Sequence, residues 1–450
     1  MDLWWNNNIK ATRFVKEFTA GEDVALDQHL VKYDVLGSIA HATMLHKIGI
    51  LSAAELAKLK GELKKILKLE REGKFQINVF DEDVHLKIEE FLTRKLNGIG
   101  KKIHTGRSRN DQVLVDTRLF SKEKLLNIQE KVLELCSGLI VLGEKNKDVP
   151  MPGYTHFRKA MPSSVGLWAL SFVESLLDDL ILIKSAYNLN NQNPLGSAAG
   201  FGVPIKLDRE LTTKLLGFEK VQNNVLYVQN SRGKIESAIV SALSQVMLDL
   251  SKLSNDLIIF SGDEFGFFEI PEFLCTGSSI MPKKKNPDVL ELIRARTNKV
   301  FSHLFQIISI IKDLPSGYNR DLQETKEPLI RSFNIVDSCL DMFDAVIRNL
   351  RVNENRLIAA FNSQLFAADE ALNMVTKGVP FRDAYKNVEL NFLHPPKGLE
   401  NPKEIIKDRV YTGTTGSLGI DISQERVRTM KNELLLERGS FKETINKLLK

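Results

Sequence analysis

Cysteine is scarce in this chain. Cys136, Cys275 and Cys339 are the only three in 450 residues, and no two have CxxC spacing. That excludes a disulfide framework and a cysteine-built zinc site, and a reducing, cytoplasmic setting fits. No apolar run approaches the roughly 20 residues needed to span a bilayer, so no membrane partner is expected. The start, Met1-Asp2-Leu3-Trp4-Trp5-Asn6, lacks the basic and apolar regions of a secretory signal. Neither charge sign dominates: 62 Lys and Arg face 57 Asp and Glu, a net charge of +5. This argues against a dedicated nucleic-acid binder and is compatible with an acidic small-molecule substrate. There is no internal repeat and no low-complexity segment. With 43% hydrophobic residues, the chain can bury a large core divided into two or three domains.

The apolar spacing is helical almost throughout. Asp27 to Ile48 carries a stripe through Leu30, Tyr33, Leu36 and Ile39. Ser52-Ala53-Ala54-Glu55 reads as a capping box opening the next helix. Asp81 to Leu96 forms another helix, ended by Gly98-Ile99-Gly100. Long helices are then predicted over Leu114 to Leu142, Ser163 to Tyr187, Gly233 to Phe260, from Pro287 onward, and up to Leu350. In the last, Phe333, Val336, Leu340, Phe343, Ile347 and Leu350 repeat at three-four spacing, a bundle or coiled-coil seam. Pro150 to Pro162 and Asn193 to Pro204 read as Gly/Pro-rich connectors. After Leu350, helices shorten and breakers return at Gly378, Pro380, Pro395, Pro396 and Gly398. The expected fold is all-α: an elongated central long-helix bundle over 107–354, flanked by smaller N-terminal (1–106) and C-terminal (355–450) helical domains. Extra apolar faces, the seam from Phe333 to Leu350 among them, are expected to pack between subunits.

Three polar groups interrupt this pattern. The loop Gly277-Ser278-Ser279-Ile280-Met281-Pro282-Lys283-Lys284-Lys285-Asn286-Pro287 cannot continue a helix. It places Ser, Lys and Asn donors just before a helix start, where free N–H groups and the helix dipole favour an anion. Read alone, its lysines also suit an exposed basic turn. The stretch His104-Thr105-Gly106-Arg107-Ser108-Arg109-Asn110-Asp111-Gln112 has no hydrophobic residue and two carboxylate-binding arginines. A solvated loop before the following helix is the ordinary alternative. Tyr318, Gln323 and Lys326 make the third group. His156, in a loop, and Glu291, one turn into a helix, are single residues. If they meet, the carboxylate would fix the imidazole's tautomer and raise its basicity. Otherwise Glu291 pairs with Arg294 at i+3.

Gly277 to Pro287 matches the pattern Gly-Ser-Ser-x-Met-Pro-x-Lys-x-Asn-Pro and so resembles the signature of the fumarase/aspartase superfamily. Within it, His104 to Gln112 resembles the cassette of the argininosuccinate lyases. Pro152 to His156, Glu264 to Phe267, Leu290 to Arg294, Tyr318 to Lys326 and Pro380 to Arg382 match as well, and the likeness runs from Leu3 to beyond Pro380. The resemblance implies a carbon–nitrogen lyase of arginine biosynthesis, converting argininosuccinate to arginine and fumarate by reversible β-elimination. It implies no cofactor and no metal. It makes Ser278 the base, its alkoxide stabilised by Lys284 and backbone N–H groups. His156, oriented by Glu291, would protonate the leaving group. Arg109, Asn110 and Thr155 would hold carboxylates, as would Lys284 and Asn286. Tyr318, Gln323 and Lys326 would hold the rest of the substrate. Family members are homotetramers with each active site shared among three subunits.

The chain departs from the family pattern at Arg158, Met161, Phe18 to Gly21, Tyr227 to Lys234 and Tyr385. These positions bear on recognition of the arginine end. Two rivals follow. One is a sister lyase acting on another succinyl-amine, a modified argininosuccinate included; the other is a non-catalytic relative of the lens-crystallin kind.

Overall fold

A computed structural model describes residues 13–21, 23–78, 81–391 and 401–450. The N-terminal hexapeptide and the breakers Pro395, Pro396 and Gly398 lie outside them. The elements used below are numbered here in chain order, and shorter ones are given by residue range. The first part holds α1 (Arg13–Ala20), α2 (Asp23–Asp27), α3 (Val31–Lys47), α4 (Ala53–Arg71) and α5 (Val84–Leu96). The middle holds α6 (Arg109–Lys145), β1 (Pro150–Thr155), β2 (Arg158–Ser164), α7 (Val165–Asn190), α8 (Lys234–Ser261), α9 (Asp288–Ile311) and α10 (Lys326–Asn349). The last part holds α11 (Ala367–Thr376), α12 (Phe381–Asn391) and α13 (Ile420–Leu449). The chain is predominantly helical, as its periodicity predicts.

The helix starts follow side-chain chemistry. Ser52 caps α4 with the reciprocal Glu55 bond read from the sequence. Ser164 caps α7 through Leu167 N–H. Ser108 caps α6 through a box with Asp111. Helix α6 therefore begins at Arg109, five residues before the expected Leu114. Arg109 to Gln112 are its first turn and not a loop; polarity hid the start because the first apolar residue comes later. At the end of α5 the turn is made by Asn97 in a positive-φ conformation. Gly100 is required for packing there, since a Cβ would lie 2.5 Å from Leu92 carbonyl carbon. Pro287 caps α9 from outside its first turn.

The five long helices α6 to α10 pack on one another as a bundle. The seam residues Phe333, Val336, Leu340, Phe343, Ile347 and Leu350 are buried within the single chain. Helix α10 lies against α6, α8 and α9. The expected burial of this seam between subunits is thus wrong: three-four spacing fits a partner from the same chain as well as one from another.

Two other readings change. Pro150 to Pro162 is part of a β-hairpin, with Thr155 opposite Arg158 and a two-residue turn at His156-Phe157. Both turn residues have positive φ, 53° and 57°, the geometry of a tight hairpin turn without the usual glycine. The register slips between Pro152 and Tyr154, at Gly153, where a Cβ would come within 2.9 Å of Met161 carbonyl oxygen. The C-terminal expectation also needs revision. Small separate cores form around Phe366, Ile405 and Ile406, and around Ala371, Ala384 and Val388. Helix α13 instead returns to the main body, packs on α6, α7 and α3, and buries Val427, Leu434, Phe441 and Leu448 in the main core.

Between α7 and α8 the Asp179 carboxyl is pushed up to about 8 by burial and by the neighbouring Asp249 carboxylate. Its folded value lies above the unfolded value of about 4. The stability it contributes is therefore fully present below about pH 4 and lost progressively as pH rises through about 8. Asp179→Asn should raise Tm more at pH 9 than at pH 5, by calorimetry; an equal shift at both pH values would contradict this pairing.

Candidate active site

Two backbone hydrogen bonds close the base of the signature loop. Thr276 N–H donates to Asn286 O (3.1 Å) and Asn286 N–H to Thr276 O (2.8 Å). The Thr276 hydroxyl adds a bond to the Asp288 carboxylate in the first turn of α9. Inside the loop, Ser278 Oγ accepts N–H groups from Met281 (3.0 Å) and Ile280 (3.4 Å). The same donors would lower the energy of a serine alkoxide. Asn286 faces inward, its amide donating to Gly277 O at 3.4 Å, and so braces the loop. Lys285 lies 3.5 Å from Glu272. Lys284 is exposed, as is Ile280 at the tip, at 82%.

Glu291 is exposed on the first turn of α9, and its carboxylate makes no hydrogen bond or ion pair among the described residues. Arg294 donates to Asn255 at 3.0 Å, so the ordinary i+3 pair does not form. Thr155 and His156 sit at the hairpin tip, both exposed. The hairpin is held behind them by Tyr154, whose ring meets Phe260 and Phe265, each at 5.9 Å. That contact sets the hairpin against the C-terminal end of α8. His156 and Glu291 do not pair within the chain.

The other residues gather at the far end of the bundle. Arg109 Nη1 lies 3.2 Å from Glu82 and 3.0 Å from Asp83. Asn110 is its neighbour on the same first turn. Lys326, at the start of α10, is buried, and its ammonium lies 2.7 Å from both Asp23 and Asp27. Burial works against that charge, but the two carboxylates outweigh it and hold the lysine above its usual value. Asp27 also accepts Val84 N–H at 3.1 Å, which ties Lys326 to the start of α5 beside Asp83 and hence to Arg109. Gln323 donates to Thr19 O at 3.2 Å. The Arg232 guanidinium lies over the Tyr318 ring, 5.7 Å from its centre.

Arg109, Asn110, Tyr318, Gln323 and Lys326 thus share one end. Helix α9, 24 residues long, runs between the signature loop and Tyr318, a span of about 36 Å. Ser278, Lys284, Asn286 and Glu291 lie at the opposite end, with Thr155 and His156. One chain does not assemble all eleven.

Three carboxylates were missed by the sequence reading. Asp23 and Asp27 hold Lys326. Asp111, fully buried, accepts N–H groups from Gly196 (2.9 Å) and Ala198 (3.0 Å), pinning that turn to α6. Burial pushes its carboxyl up to about 6, against the pull of those N–H groups and of Ser108 N–H. The capping-box spacing Ser108 to Asp111 was the available signal for it; nothing local marks Asp23.

Comparison with known proteins agrees with this architecture. The family profile described as Lyase matches residues 8–302. The argininosuccinate lyase of Phocaeicola vulgatus is 44% identical over 431 residues, covering 96% of this chain and 95% of that protein. That of Thermotoga neapolitana is 43% identical, covering 85% and 96%. Among solved structures, an EDDS lyase in complex with formate superposes with a TM-score of 0.84 at 22% identity, covering 98% of this chain and 95% of that one. The class II fumarase of Schistosoma mansoni reaches 0.72 at 16% identity, covering 88% and 93%. The long-helix fold is that of a lyase, and the chain belongs to the argininosuccinate lyase family of that class.

Lys326→Met would leave Asp23 and Asp27 facing each other without their cation. Removing one partner of a buried ion pair costs about 3–5 kcal/mol. Thermal unfolding should therefore show a clear fall in Tm. An unchanged Tm, with only KM raised, would mean that Lys326 serves the ligand and not the fold.

Proposed function

We propose that this protein cleaves argininosuccinate to arginine and fumarate by β-elimination, as a homotetramer whose active sites each combine segments from three subunits. The observation that carries the chemistry is the Ser278 hydroxyl oxygen, which collects two backbone N–H groups. Ser278 as base removes a proton from the carbon beside a succinyl carboxylate. The electron pair passes into that carboxylate as an aci-carboxylate, and Lys284, Arg109, Asn110 and Thr155 supply the positive charge and donors it needs. Collapse of that species forms the fumarate double bond and breaks the C–N bond. His156, oriented by Glu291 of another copy, gives the departing guanidino nitrogen its proton. Tyr318 and Gln323 hold the arginine portion, while Lys326 acts indirectly, by fixing Asp23 and Asp27. No step calls for a cofactor.

The distance along α9 supports the shared site. A copy running in the opposite direction would bring its signature loop to the Arg109 and Gln323 end of the first. Exposed apolar side chains on the bundle helices offer the contact surface: Ile181 and Leu182 on α7, Leu248 on α8, and Leu292, Phe305 and Ile308 on α9. Among the described residues no helix is long and apolar enough to cross a membrane, which fits a cytoplasmic enzyme.

Ser278→Ala should retain the oligomer and lose fumarate release, followed by ultraviolet absorbance, by at least the 10²–10⁴-fold typical of general base catalysis. Ser279→Ala should lose less. Activity of Ser278→Ala within tenfold of wild type would overturn the assignment of the base. Absorbance from other succinyl-amines, with none from argininosuccinate, would leave the mechanism and change the substrate. Sedimentation should find the active species at four times the chain mass; a fully active monomer would remove the shared site.

A further inference from the structure

Behind Arg109 lies a buried group that the proposed elimination does not use. Asp34 comes from α3, His85 from the first turn of α5, and Asp116 from α6. We propose that these three side chains form a buried site for one divalent transition-metal ion, which would join α3, α5 and α6. One oxygen or ring nitrogen from each lies within 4.8 Å of the others. His85 Nδ1 is 2.5 Å from Asp34 Oδ2 and 3.7 Å from Asp116 Oδ2. Exposure is 2% for Asp34, 7% for His85 and 0% for Asp116.

The second observation is Asp116 itself. Neither of its carboxylate oxygens has a hydrogen-bond partner among the described residues, although the residue is sealed from solvent. A buried carboxylate without a partner is among the most costly arrangements in a fold. Neither neighbouring cation hydrogen-bonds Asp116. Arg107 donates to Ser38 Oγ at 3.0 Å, and Lys326 is held by Asp23 and Asp27. His85 hydrogen-bonds Asp34 and stands 3.7 Å from Asp116 without a hydrogen bond to it. A divalent ion at this point would supply the partner that the Asp116 carboxylate lacks.

The donor set selects the ion. An imidazole with two carboxylates suits Zn²⁺, Mn²⁺ or Co²⁺ better than Mg²⁺ or Ca²⁺, which favour all-oxygen shells. Ligand atoms about 2.1 Å from such an ion require Asp34 and His85 to part slightly and Asp116 to close slightly. Binding would take the place of the proton on His85 Nδ1. Ser38 Oγ, 3.1 Å from Asp34 Oδ1, would orient that ligand from behind. His85 is two residues beyond Asp83, which lies 3.0 Å from Arg109, so the ion would also steady the start of α5 where it meets Arg109.

The test uses the full-length protein, stripped with a chelator and titrated with Co²⁺. Wild type should take up one Co²⁺ per chain by elemental analysis and develop visible d–d bands. Its Tm should rise, and its proton NMR spectrum should gain one exchangeable, strongly shifted imidazole N–H signal from His85 Nε2. Asp116→Asn and His85→Gln should each weaken Co²⁺ binding at least tenfold. A wild-type protein that binds no Co²⁺, or binds it without that signal, overturns the proposal. So does a folded Asp116→Asn variant with wild-type affinity, which would place the metal elsewhere. Should both variants fail to fold, the wild-type signal alone decides. The outcome is independent of whether argininosuccinate is the substrate.

Discussion

The length of the bundle helices constrains everything else in this molecule. Helix α9 has 24 residues and α6 has 37, about 36 and 55 Å at 1.5 Å per residue. An α-helix packed in a bundle does not fold back on itself. Groups placed beyond opposite ends of α9 stay apart in the folded chain. The signature loop stands before α9 and the Tyr318 to Lys326 segment after it. The fold thus keeps the two groups of proposed site residues apart within one chain. Under the proposed function, association of copies brings them together, and the apolar side chains left exposed on α7, α8 and α9 offer the surface for it.

The two ends differ in character. At the Arg109 end a buried, interlocked group lies beneath half-buried Arg109, Asn110 and Gln323 and exposed Tyr318. Lys326 is clasped by Asp23 and Asp27, Asp27 reaches the start of α5, and Asp111 pins the turn at Gly196 to Ala198. In a low-dielectric setting, buried charges stabilise the fold only while every partner is present. This end is therefore preorganised. At the other end Thr155, His156, Lys284 and Glu291 are exposed, and only the base of the signature loop is tied down. Ser278 nevertheless has its oxygen directed at backbone donors. A loop fixed at its base and open at its tip suits a segment that completes the site by closing.

Much of this was legible in the sequence because it rests on local rules. The Ser52 box, the helix start near Ser163 and the three-four apolar spacing of α8 and α10 each depend on residues within one or two turns. The Gly/Pro frame of the signature loop is equally local, and it marks the helix start after Pro287. What escaped depends on contacts between distant segments. Nothing local to Lys326 shows that Asp23 and Asp27, about three hundred residues earlier, close around it. The Phe333 to Leu350 seam identifies an apolar face but not whose helix covers it. The hairpin at Pro150 to Ser164 has two prolines on one strand and no glycine in its turn, so neither the strand signal nor the turn signal is present. Helix α13 shows a stripe, yet nothing in it says that the stripe faces the main core.

Sharing of the site between copies is tested most directly by mixing two inactive parents. Ser278→Ala removes the base at one end; the double variant Asn110→Ala, Gln323→Ala removes binding groups at the other. Mixed oligomers from co-expression should recover fumarate release well above either parent, because some sites then receive intact segments from both kinds of subunit. Mixed oligomers no more active than the parents would mean that each site is built within a single chain.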